Sequence, residues 1–186
     1  MLQALYSIDS SILLWVQETF INDALTPIMT FITRLGNAGI FWIVLSAVLC
    51  INKKTRRTGV MCFMALIGSL LVNNIILKNL AARVRPYDAM EQVRLLVEAQ
   101  KDFSFPSGHT GSSFAAASVI FFSMKKRYGV PCMLFAALIG FTRLYVGVHY
   151  PSDVLVGMVD GILIGYIVVK KLSKKLCQEK ILDITP

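Results

Sequence analysis

Three short stretches of the chain hold the side chains best suited to chemistry: KNLAARVRP (residues 78–86), PSGH (106–109) and RLYVGVHYPSD (143–153). Lys78, Arg85 and Arg143 are cations, His109 and His149 are the chain's two histidines, and Asp153 follows His149 by four residues. Pro106 is suited to the first position of a helix, with Ser107 and Gly108 beside it. The first amides of a helix lack internal partners and lie at the positive end of its dipole. Glycine there lets a ligand approach the backbone. Free amides together with Lys78, Arg85 and Arg143 describe a receptor for a phosphate dianion. Binding an anion does not need two imidazoles, but phosphoryl transfer does. One ring attacks phosphorus and the other protonates the leaving oxygen. Histidine titrates near pH 6.5, so both roles are accessible. Asp153 would hold His149 in one tautomer, as the carboxylate of a catalytic triad does.

Each residue also has an ordinary structural explanation. Lys78 could end a helix and extend its stem to the interface. Arg85 could be a loop residue, Ser107 and Gly108 could simply start a helix, and His149 with Asp153 could form a structural hydrogen bond. These explanations weaken jointly, because ionisable groups near lipid are costly and usually functional.

The elements that position these residues follow from the composition. Of 186 residues, 55% are hydrophobic and only 16% charged, more apolar than a soluble domain. About 20 apolar residues cross a hydrocarbon core of about 30 Å. Such runs occupy residues 37–51, 59–77, 107–123, 130–148 and 154–169, the first short enough to borrow a turn from the preceding segment. Residues 8–36 read as an amphipathic interfacial helix interrupted by Gln17, Glu18, Asn22 and Asp23, then a short helix ending at Gly36; a sixth, irregular span is the alternative. The predicted fold is an all-α polytopic transmembrane bundle of five to six spans with an N-terminal amphipathic helix. It divides into an N-terminal segment (1–36), a core (37–175) and a tail (176–186).

The formal charge of +8 does not imply a nucleic-acid partner. Lys53, Lys54, Arg56 and Arg57, then Lys125, Lys126 and Arg127, then Lys170, Lys171, Lys174 and Lys175 follow alternate spans. That distribution marks the cytoplasmic face, so the three chemical stretches fall on the opposite, extracytoplasmic face. No signal peptide is evident, because the first basic residue is Arg34. Cys50, Cys62, Cys132 and Cys177 lack metal or redox spacing and are expected to be free thiols. Gly157, Gly161 and Gly165 predict close packing of the last helix. Asn74, one turn before Lys78, is expected to brace it, and Asp160 to make a structural hydrogen bond. Residues 89–100 predict either a short amphipathic helix or a plain loop.

These stretches resemble the signature of the type 2 phosphatidic acid phosphatase superfamily: K-x6-RP, then PSGH, then SR-x5-H-x3-D. Lys78 with Arg85 and Pro86, residues 106–109, and Arg143 with His149 and Asp153 match it in order and spacing. Thr142 stands where the family usually has serine. The resemblance implies a membrane-embedded lipid phosphate phosphatase of the cell membrane that needs no metal or other cofactor. In that family His149 would be the nucleophile, Asp153 its orienting partner and His109 the general acid. Lys78, Arg85, Ser107, Gly108 and Arg143 would bind the phosphate. Undecaprenyl diphosphate is the expected substrate, with phosphatidylglycerol phosphate or phosphatidic acid as alternatives. A lipid phosphotransferase or a non-enzymatic lipid carrier are the readings of another class. The sequence does not specify an oligomeric state.

Overall fold

The computed structural model describes the backbone of residues 2–182 and the side chains of residues 5–172. The expectations for Lys174, Lys175 and Cys177 lie outside the described side chains. Helix α1 (Leu2–Phe20) is followed by α2 (Leu25–Leu35), which ends at Gly36 as the sequence predicts. A single 3-10 turn (Asn37–Gly39) leads into α3 (Ile40–Ile51). Helix α4 (Arg56–Ser69) continues through a π-helical stretch (Leu70–Leu77) into the short α5 (Lys78–Ala81). Then come α6 (Pro86–Ala89), α7 (Gly108–Ser123), α8 (Lys126–Tyr145) and α9 (Pro151–Leu182). The described residues contain no strand.

Helix α7 is the axis of the bundle and packs against α4, α8 and α9. Its first turn is capped by Ser107, whose hydroxyl accepts from the Thr110 amide at 3.4 Å. From Thr110 to Ile120 every residue except Ser112 is buried. The predicted glycine stripe explains the closeness of α9. A Cβ on Gly157, Gly161 or Gly165 would lie 2.7, 2.5 or 2.8 Å from the carbonyl oxygen of Ser107, Gly111 or Ala115. Backbone therefore rides on backbone along three turns, with no room for a side chain. Trp42 secures α3 to α7 by donating to the Ser113 hydroxyl at 2.8 Å.

Residues 56–89, 126–145 and 151–172 are long and apolar enough to cross a bilayer. The pair formed by α2 and residues 37–51, bent by 51°, makes a fourth as one broken span. The short run 37–51 reaches spanning length only together with α2, the segment before it. Three to four spans thus pass on length and composition among the described residues; α7, with 16 residues or about 24 Å of helix, is shorter than these.

The basic turns gather at the end of the bundle away from the chemical stretches. Arg57, at the start of α4, donates to the Leu172 carbonyl near the far end of α9 at 3.2 Å, while α4, α7, α8 and α9 bring Lys78, His109, Arg143 and Asp153 to the other end. Residues 90–100 form a loop without helix. Its turn is fixed from outside: Gln17 on α1 donates to the Arg94 carbonyl at 2.9 Å and accepts from the Arg94 amide at 2.9 Å. Asp160 does not make the expected hydrogen bond at Oδ2, which is buried without a partner. Cys50, Cys62 and Cys132 are free thiols.

Gly161→Val is expected to lower the stability of the detergent-solubilised protein by about 1–3 kcal/mol through overpacking. Gly68→Ala, which meets a movable Ile164 methyl at 3.1 Å, should change it little; thermal unfolding of both variants checks this.

Candidate active site

A cavity of about 530 Å³ opens at the end of the bundle where the three stretches meet. One wall is polar and contains Lys78, Arg85, Asp102, Gly108, His109 and His149. The other is apolar and lies between α3 and α4, with Ile43, Phe63, Leu66, Ile67 and Leu70.

His149 sits on the tight turn between α8 and α9. That turn is closed by the Gly147 amide donating to Leu144 O at 3.0 Å and the Val148 amide to Arg143 O at 3.2 Å. Gly147 is left-handed at φ 79°, and a Cβ there would lie 2.5 Å from the Arg94 carbonyl oxygen. The imidazole Nδ1 is 3.5 Å from Asp153 Oδ2 and has no other partner. That distance is at the outer limit of a hydrogen bond. Burial pushes the His149 pKa down to about 4, with Asp153 opposing the shift and Arg85 and Arg143 adding to it. The ring is therefore neutral at neutral pH. With its proton on Nδ1, facing Asp153, the Nε2 lone pair is free.

Asp153 is held from three sides. Its Oδ1 accepts from Arg83 at 2.6 Å, and its Oδ2 accepts from the Ser104 hydroxyl at 2.5 Å and the Tyr150 amide at 2.9 Å. Arg83 also reaches Asp9 of α1 at 2.7 Å, and its guanidinium lies 3.9 Å from the centroid of the Tyr150 ring. Asp9 in turn accepts from the Ser152 amide at 2.9 Å and pairs with the Ser152 hydroxyl. Through Asp9 and Gln17, α1 braces the turn that carries His149.

His109 occupies the first turn of α7, and its Nε2 lies 2.9 Å from Asn37 Oδ1. An amide oxygen only accepts, so this contact makes Nε2 the protonated nitrogen. The helix break delivers Asn37 to this place. Ala38 and Gly39 are both left-handed, at φ 51° and 68°, which costs an alanine about 1–2 kcal/mol. Gly36 leaves space for the ring, since a Cβ there would lie 2.7 Å from His109 Cδ2.

The cations divide into two groups. Lys78 and Arg85 line the cavity, and both bind the carboxylate of Asp102, Arg85 at 2.5 Å. Arg85 also donates to Val148 O at 2.8 Å, beside His149. Arg143 is buried behind the cavity wall, donates to the Thr33 hydroxyl at 2.6 Å, and keeps Nε without a partner. Ser107 is fully buried, with its hydroxyl 2.9 Å from that of Thr110, and also lies behind the wall. Thr142 donates to the Ile139 carbonyl at 2.6 Å within its own helix. Asn74 does not brace Lys78. It lines the cavity against Gly108, where a Cβ would lie 2.6 Å from its Oδ1, and Lys78 takes Asp102 instead.

Of the eight residues singled out in the sequence, Lys78, Arg85, Gly108, His109 and His149 share the cavity, with Asp153 directly behind His149. Ser107 and Arg143 are adjacent but enclosed. Sequence reasoning missed Asp102, Asn37, Arg83 and Asp9. One signal was present for α1: Asp9, Leu13 and Gln17, four residues apart, are all buried and form one face of the helix.

A sequence profile of the PAP2 superfamily matches residues 57–177, which contain all eight of those residues. The chain belongs to the PAP2 superfamily. It is thus a hydrolase of the lipid phosphatase kind and a membrane protein. It is 34% identical over 146 residues to undecaprenyl-diphosphatase BcrC of Bacillus subtilis, covering 78% of this chain and 74% of that one. The crystal structure of Aquifex aeolicus LpxE superposes with a TM-score of 0.77 at 30% identity, covering 86% of this chain and 93% of that chain. The PAP2-type phosphatidylglycerolphosphate phosphatase of Bacillus subtilis gives 0.75 at 29% identity, with 92% and 87% covered. The PAP2 motifs therefore sit on a backbone shared with solved members.

Arg83→Gln is expected to raise the pKa of His149 from about 4 toward the ordinary value. It removes a nearby cation and leaves the Asp153 charge more available to the protonated ring. NMR titration of the labelled imidazole checks the direction; a fall would contradict it.

Proposed function

We propose that this protein removes the terminal phosphate of a membrane lipid phosphate or diphosphate, with undecaprenyl diphosphate as the preferred substrate, at the outer face of the membrane. The observation that carries this reading is the single cavity in which two cations, two histidines and an apolar wall meet. Lys78, Arg85 and the start of α7 suit phosphate oxygens, and the apolar wall suits a lipid chain. Similarity to undecaprenyl-diphosphatase BcrC favours the isoprenoid diphosphate. Similarity to the phosphatidylglycerolphosphate phosphatase supports a second reading, in which a glycerophospholipid is dephosphorylated. The basic turns at the opposite end of the bundle support the outer face for the site. The catalytic unit is the core of residues 37–175, braced by α1.

In the proposed mechanism the neutral His149 attacks phosphorus through Nε2. A P–N bond forms as the bond from phosphorus to the leaving oxygen breaks, and that oxygen takes the Nε2 proton of His109, which enters this step as the imidazolium favoured by the bound phosphate dianion and leaves it neutral. Charge building on the equatorial oxygens is met by Lys78, Arg85 and the amides at Gly108, with Arg143 supporting from behind. His149 becomes cationic as it is phosphorylated, and Asp153 at 3.5 Å stabilises it. Water, deprotonated by the now neutral His109, then cleaves the P–N bond and releases phosphate. The cations supply the positive charge, so no metal takes part.

Purified protein is expected to release phosphate from undecaprenyl diphosphate faster than from phosphatidylglycerol phosphate or phosphatidic acid, with a chelator present. His149→Ala should reduce turnover by about four orders of magnitude or more while remaining folded. A strict need for added divalent metal, or turnover retained in His149→Ala, would contradict the mechanism.

A further inference from the structure

Lys78 and Arg85 are already occupied by an anion, and that anion belongs to the chain. The Asp102 carboxylate accepts from Lys78 through Oδ2 and from Arg85 through Oδ1 at 2.5 Å. The two cation side chains are only 6% and 3% exposed, whereas that of Asp102 is 52% exposed. Asp102 therefore covers the cations from the cavity side, and among the described residues lining the cavity it is the one carboxylate. Burial would push its pKa up, but Lys78 and Arg85 hold it below the ordinary carboxylate value, so it is ionised at neutral pH.

The segment around it is built to release the side chain while staying in place. Arg85 Nε donates to the Asp102 carbonyl at 2.8 Å, the Ser104 amide to the Arg83 carbonyl at 2.8 Å, and the Gln100 amide to the Tyr87 hydroxyl at 3.0 Å. The backbone is pinned on both sides of residue 102, so uncovering the cations takes only rotation of one short side chain.

From this the geometry points to Asp102 as a specificity-determining residue that occupies the phosphate site and must be displaced by the substrate. The inference rests on the proposed reading of Lys78 and Arg85 as phosphate ligands. A carboxylate carries one negative charge. A terminal phosphate carries close to two at neutral pH, and its three oxygens serve both cations at once. A phosphodiester carries one charge and offers fewer oxygens, so it gains nothing over the resident carboxylate. The site thus admits terminal phosphates and refuses the diester lipids that make up most of the surrounding membrane.

The test measures binding without turnover, using inorganic phosphate and dimethyl phosphate as probes of the detergent-solubilised protein by calorimetry. The wild type should bind phosphate and not dimethyl phosphate. Asp102→Asn keeps the shape and removes the charge; it should bind phosphate at least tenfold tighter and bind dimethyl phosphate measurably. Phosphate affinity that is unchanged or weaker in Asp102→Asn overturns the inference. Should that variant fail to fold, the carbon-labelled carboxylate of Asp102 in the wild type decides: phosphate should shift its NMR signal as the side chain leaves Lys78 and Arg85, and an unmoved signal overturns the proposal. Protein that binds phosphate as stated but hydrolyses no lipid would refute the proposed function alone. An active phosphatase whose phosphate affinity ignores Asp102 would refute this inference alone.

Discussion

Lys78, Arg85 and Arg143 keep their charged ends buried at one end of an apolar bundle, and much of the surrounding structure compensates that charge. Cations that repel one another away from bulk water need either opposite charge or fixed dipoles close by. The protein supplies both. Val148 and Phe103 offer carbonyls to Arg85, Thr33 offers a hydroxyl to Arg143, and Asp102 neutralises Lys78 and Arg85 together. Within this field a neutral His149 is the natural state of the ring, because burial and two arginines both disfavour its cation. The same field favours any anion that enters the cavity.

Holding the cations there depends on how closely the helices approach. Gly157, Gly161 and Gly165 let α9 run against the α7 backbone, which brings Asp153 at the start of α9 alongside Ser107, whose amide donates to the Asp153 carbonyl at 3.0 Å. Gly108 and Gly111 allow the asparagines of the π-helical stretch, Asn74 and Asn73, to lie against α7, so Lys78 arrives one turn later at the cavity. The break at Ala38 and Gly39 is the third device, and it delivers Asn37 to His109. Strained backbone beside a reacting group is a common way to fix its orientation. Two histidines near one cavity thus receive different proton arrangements: Asn37 fixes the proton of His109 on Nε2, and Asp153 draws that of His149 to Nδ1.

Much of this was legible in the sequence because the key groups sit at helix ends and the spacing within each stretch is short. Lys78 and Arg85, residues 106–109, and His149 with Asp153 could each be placed on one membrane edge from hydropathy alone. The glycine repeat gave the face of α9 that packs. What could not be read is long-range pairing. Asp9 meets Arg83 across 74 residues, Arg83 meets Asp153 across 70, and Asn37 meets His109 across 72. No local period encodes such contacts. The polar interruptions of the first helix read as marks of a helix lying on the membrane surface, whereas Gln17 is buried against the 90–100 loop and Asp9 against α9. Helix α7 shows the same limit: its apolar run is visible in the sequence, but its burial among neighbouring helices is not.

The most direct test of the account is to look for the phosphoryl group on the enzyme itself. After a brief reaction with lipid labelled in its terminal phosphate and an alkaline quench, the label should be found as an acid-labile phosphohistidine at residue 149. It should be absent from His149→Ala. Label on any other residue, or full turnover with none retained by the protein at any time, would contradict the claim that this buried imidazole carries the phosphoryl group.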